Sequence, residues 1–75
     1  MSNEANTKIQ LTVRNSLSTR SVLVLEPWGD EHILDPKATV SLVADGPMPG
    51  KLEIEVGSGR LLIYGWKGSV IQVTP

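Results

Sequence analysis

From Lys8 onward, apolar residues fall on every second position. Ile9, Leu11 and Val13 alternate with Lys8, Gln10, Thr12 and Arg14, the pattern of a strand with one buried and one wet face. Asn15-Ser16-Leu17-Ser18-Thr19 supplies turn formers whose side chains bond their own backbone. Ser21-Val22-Leu23-Val24-Leu25 is apolar on both faces, which predicts a central strand covered on each side. Pro27 ends it, because proline has no N–H to give the ladder. Trp28-Gly29-Asp30 turns the chain into a short return strand, Glu31-His32-Ile33-Leu34, and Asp35-Pro36-Lys37 has the residues of a type I turn. Residues 38–44 alternate again, with Val40, Leu42 and Ala44 inward. The prolines and glycines of Asp45-Gly46-Pro47-Met48-Pro49-Gly50 predict an irregular segment. Residues 51–56 alternate most clearly: Leu52, Ile54 and Val56 inward, Lys51, Glu53 and Glu55 outward. Gly57-Ser58-Gly59 predicts a tight hairpin into a strand over residues 60–64. Gly65-Trp66-Lys67-Gly68 is a further turn, and residues 69–73 form the last strand, with Ile71 and Val73 inward.

About seven short strands at spacings of roughly 8–12 residues, with no helical periodicity, predict an all-β protein: a single small antiparallel β-sandwich or barrel. Hairpins are expected at Trp28-Asp30, Asp35-Lys37 and Gly57-Gly59, whereas pairing beyond sequence neighbours does not follow from the pattern. The polar start makes residues 1–7 a disordered leader and residues 8–75 the β domain.

Composition narrows the function classes. The chain has 75 residues and no cysteine, which removes disulfides, thiol nucleophiles and Cys-based metal sites. Its net charge is −1, so no strong field announces a nucleic acid or an anionic membrane as partner. No run approaches the ~18 apolar residues of a membrane helix and no secretory signal opens the chain, which makes cytoplasmic the expected location. Phe is absent, and the aromatics are Trp28, Tyr64 and Trp66. Base stacking on an oligonucleotide-binding or cold-shock surface needs several aromatics flanked by basic residues, so no nucleic-acid partner is expected.

Catalytic chemistry finds little to work with. Nucleophilic catalysis needs a base beside the nucleophile and a third group to orient it, and His32 is the single histidine. Gly57-Ser58-Gly59 lacks the strand–turn–helix setting of a nucleophile elbow. No glycine-rich loop opens a helix, so no phosphate cradle is expected. Acidic residues crowd the histidine, since Glu26, Asp30, Glu31, His32 and Asp35 lie within ten residues, and Asp30, Glu31 and His32 are candidates for a small-molecule or metal site. Against it, a strand sends Glu31 and His32 to opposite faces, and transition-metal sites usually gather two or three imidazoles. A cupin site needs several histidines and a Glu, so any cupin likeness is one of architecture. No cofactor is expected.

Two tryptophans at turns call for an explanation, because turns favour Gly, Pro, Asn, Asp and Ser. Each indole either folds back to plug an open end of a core that lacks Phe or stands out as a binding plate, with Tyr64 beside Trp66. The missing core aromatics favour the plug. Unpaired sheet edges offer another contact, by strand addition to a second copy or to another protein. Alternatively, Lys8 or Lys51 is placed to guard such an edge, which would favour a monomer.

The Leu25-Glu26-Pro27-Trp28-Gly29 turn, set between an apolar strand and a short return strand, resembles a group of small bacterial all-β proteins. Leu62-Ile63-Tyr64-Gly65-Trp66 with Gly68 is similar to the C-terminal end of the same group. Lys37 departs from the pattern, which has Gly there. The resemblance implies the all-β fold and carries no activity, cofactor or functional residue. On the residues alone, the favoured reading is a non-catalytic interaction protein using Trp28, Trp66 and Tyr64 or an exposed edge strand. The alternatives are a ligand or metal site near His32, Asp30 and Glu31, and a structural subunit of a larger assembly.

Overall fold

The computed structural model describes residues 5–74. Its strands are β1 (Asn6–Arg14), β2 (Ser21–Glu26), β3 (Asp30–Leu34), β4 (Thr39–Pro47), β5 (Glu53–Gly57), β6 (Arg60–Tyr64) and β7 (Val70–Thr74). They form two open sheets, one in the order β1-β4-β7 and one in the order β3-β2-β6-β5. Pairing is antiparallel except between β2 and β6, which run parallel. This is a β-sandwich, not a closed barrel. No helix is long and apolar enough to cross a membrane among the described residues.

The core lies between the layers. Leu23, Leu25 and Ile63 of the four-stranded sheet meet Leu42 and Val13 of the three-stranded one, with Leu34 beside them. Leu11, Val40, Leu52, Leu61, Ile71 and Val73 pack against this cluster. The cluster itself is wholly aliphatic, while Ser21, Asp30 and His32 in one sheet and Thr7 and Gly46 in the other take inward-facing positions around it.

Four local expectations are corrected. β1 begins at Asn6, so Asn6 and Thr7 belong to the sheet, paired with Pro47 and Gly46; residues 1–4 of the expected leader lie outside the described residues. The Asp45-Gly46-Pro47 stretch is the end of β4, because its proline lies at the last ladder position, where a missing N–H costs little. Asp35-Pro36-Lys37 does not make a hairpin, since β3 and β4 lie in different sheets and the turn carries the chain between them. It is also not type I: Ala38 N–H donates to Asp35 O at 3.0 Å, and Lys37 has φ +67°, the type II geometry. The turn is held there by Asn15, whose O accepts from Lys37 N and whose N–H donates to Ala38 O.

The fourth concerns cover. β2 is central in its sheet, but only its Leu23 and Leu25 face belongs to the core cluster. Val22 and Val24 lie on the other face, opposite Ile33 and Glu31 on one side and Arg60 and Leu62 on the other. Those flanking strands bring Val24 to 3% exposure without a third layer.

Candidate functional site

The turn aromatics gather at the end of the sandwich where β2 and β6 finish, yet they do different things. Trp66 sits in the β6–β7 turn, which is tied by Ser69 N–H to Trp66 O at 2.9 Å and by Ser69 Oγ to both the N and O of Trp66. Its indole N–H donates to Pro47 O at 2.7 Å. The ring lies over Gly50 beside the Thr7 methyl: a Cβ added at Gly50 would fall 3.2 Å from Trp66 Cη2 and 2.6 Å from Thr7 Cγ2. Trp66 is therefore a half-buried plug that staples the β4 end to the β6–β7 turn. Trp28 is 44% exposed. Its ring edge reaches Gly65, where a Cβ would fall 3.1 Å from Trp28 Cη2, with Ile71 Cδ1 nearby. Trp28 thus covers the same end from the other sheet and leaves part of its indole in solvent.

Tyr64 does not join them. It faces outward from β6, on the same face as Glu53 across the β5 ladder and Glu26 across the β2 ladder. Its hydroxyl donates to Glu55 Oε1 at 2.9 Å. That hydrogen bond first, then partial desolvation and the charges of Glu55, Glu26 and Glu53, raise the phenol above its ordinary value. The outer face of this sheet is acidic, with Arg60 standing 3.8 Å from Glu31.

Of the three residues proposed for a ligand or metal, two share a surface. Asp30 and His32 line an open cleft with Leu25 and the Ile71–Thr74 segment of β7. Glu31 points to the opposite face, toward Arg60. No group of three or more His, Asp or Glu side chains is placed to hold a metal ion among the described residues.

The feature that the alternation pattern misses is the exposure of the inward face of β5. Ile54 pairs with Ile63, and Val56 with Leu61. Both partners belong to the core side, so Ile54 and Val56 face inward as their period dictates. Nevertheless they are 49% and 79% exposed. The reason is layer width: a three-stranded sheet lies over a four-stranded one. β7 shares a cleft with Asp30 and His32 of β3, and the end of β1 lines another, of about 230 Å³, with Val56, Gly57, Arg60 and Leu61 as well as Ser21 and Leu34, which together place β1 over the β6 side. Among the described residues, no strand of the three-stranded layer covers Ile54 and Val56. Leu17, 53% exposed, stands at the mouth of that cleft. Its signal was legible, since a Leu inside a run of Asn and Ser has no turn-forming role. Lys51 precedes β5 and does not belong to it.

Comparisons with protein-family profiles, with curated proteins and with solved structures returned no match.

Proposed function

We propose that this chain is a non-catalytic interaction domain whose working surface is the uncovered edge strand β5. The supporting observation is the inward-facing yet exposed pair Ile54 and Val56 on a strand with one free edge. Natural edge strands are shortened, bulged, covered, or blunted by charged side chains or Pro, and β5 carries its charges, Glu53 and Glu55, on the outer face alone. β5 instead offers an unpaired backbone edge bordered by apolar side chains on one face and by Glu53 and Glu55 on the other. Strand addition uses both, main chain for affinity and alternate side chains for specificity. The tryptophan end is the weaker surface, because Trp66 is committed to Pro47 and the ends of β4 and β6.

A photo-reactive benzophenone side chain placed at Val56, and separately at Trp28, tests this. The Val56 probe should yield an adduct whose peptide map identifies the bound chain, and that chain should co-purify with wild type but not with Ile54→Asp. Adducts from the Trp28 probe alone would overturn the reading in favour of the aromatic end.

A further inference from the structure

Resting on that reading, we propose that the chain covering β5 is a second copy of this protein, and that the two interlock through their unequal sheets. β1 and β5 run in the same direction. Their last residues, Val13 with Arg14 and Val56 with Gly57, line one cleft, and Thr7 stands beside Gly50 at the other end. On this side of the sandwich the four-stranded layer projects one strand beyond β1. A rotation of 180° about an axis parallel to the strands and midway between the layers exchanges the layers. The second copy then brings its own projecting β5 into the empty position beside β1 and above the first β5. Each β5 completes the ladder of the other copy's β1, in parallel like β2 and β6. Ile54 and Val56 of the two copies face each other across the ~10 Å that separates packed sheets.

The alternative twofold, perpendicular to the sheets, fits badly. It brings the two projecting β5 strands together first and holds the two β1 strands about three strand spacings, roughly 14 Å, apart. Closing that gap to pair β1 with β1 antiparallel about Leu11 would set Lys8 of each copy opposite Arg14 of the other, and like charges directly opposed are destabilising.

Charge selects the interlocked arrangement. The outward face of β1 carries Lys8, Gln10, Thr12 and Arg14, whereas the outward face of β5 carries Glu53 and Glu55. With β5 of one copy beside β1 of the other, the glutamates sit between Lys8 and Arg14. Glu55 keeps its Tyr64 hydrogen bond through Oε1 and has Oε2 left for a cation. The surface is self-complementary: an acidic strand with an apolar inner face fills the slot beside a basic strand that needs such a face.

Sedimentation velocity on the full chain tests the proposal by charge exchange. The wild type should sediment as a dimer. Lys8→Glu with Arg14→Glu makes both interfaces acidic, and Glu53→Lys with Glu55→Lys makes both basic. Each pair should raise the dissociation constant about 30-fold or more, given the cost of opposed like charges at two symmetric ladders. Mixing the two dissociated variants should restore a dimer, because both ladders of the mixed species again oppose acid and base. Circular dichroism should show both variants folded. A wild type that stays monomeric, a charge pair that leaves the dimer unchanged, or a mixture that fails to associate overturns the interlock. If the wild type is monomeric while the Val56 probe captures a different chain, the self-pairing fails and the edge reading stands. If that probe captures nothing, both fail.

Discussion

Asn15 is the residue on which one end of the sandwich depends. It is 5% exposed, and its Nδ2 donates to Leu34 O at 3.0 Å, Thr19 O at 2.9 Å and Asp35 O at 3.2 Å, while its Oδ1 accepts from Leu17 N. One amide therefore joins the β1–β2 loop to the β3–β4 turn. Asn15→Ala should destabilise the fold by about 2–3 kcal/mol in urea unfolding, because buried carbonyls lose their donor. Asn15→Asp should cost more, since it turns an acceptor toward three carbonyls. Lys37 is carried into the left-handed region by this same lock, at φ +67°. Lys37→Gly should stabilise by about 0.5 kcal/mol: relief of the side-chain strain outweighs the extra chain entropy that Gly brings to the unfolded state. Tyr64 offers a spectroscopic check on the acidic face. As the single tyrosine, it should ionise in an absorbance titration with a midpoint above 10.0, and Glu55→Gln should move that midpoint back toward 10.0. The sign for stability follows. The raised folded-state value favours the fold fully below 10.0, where the unfolded phenol is also protonated, and that contribution disappears as pH rises through the folded-state midpoint.

At the level of the strands, the hydrophobic pattern is a local property, and alternation together with short apolar runs bounded by turn residues located all seven elements. It also assigned Ile54 and Val56 to the correct face. Whether a face is covered depends on how many strands lie opposite, and that is set by long-range pairing such as the parallel β2–β6 ladder, which has no local signature. The same holds for the β4 end. Gly46 and Pro47 read as a loop, but Gly46 is where β4 meets the β6–β7 turn, and a Cβ there would lie 2.7 Å from Ser69 Cα. Only glycine allows that approach. Gly46→Ala should therefore cost about 2–3 kcal/mol by overpacking against backbone, read as a lower urea midpoint with an unchanged slope. The candidate site divided in a similar way. The separation of Glu31 from His32 followed from strand period alone, and the tryptophan plug followed from a core without Phe. The exposed β5 face, the feature with the strongest claim to function, did not, because an exposed inward residue has the same sequence pattern as a buried one.

At the scale of the whole molecule, a chain of this length buries only about 60% of the surface its unfolded form exposes. Its fully buried large side chains are Leu23, Leu25, Leu42 and Ile63, drawn from both sheets into one cluster. A core this small gains proportionately from any apolar area it can add, and Ile54, Val56 and Leu17 are such area left at one side. In the proposed dimer, interlocking would cover it without altering either sandwich, so association and folding would be linked. Stability would then depend on concentration, because the second copy binds the native state and not the unfolded chain. For a domain of this size, each tenfold rise in protein concentration should raise the melting midpoint by about 3–6 °C while the dimer is the folded species. The variant carrying Lys8→Glu and Arg14→Glu should melt at one temperature across the same range, somewhat below the wild type at its dilute limit, because the first change sets an acid opposite Asp45 within the β1–β4 ladder. A wild-type midpoint that does not move with concentration would mean that the exposed face of β5 adds nothing to the stability of its own fold.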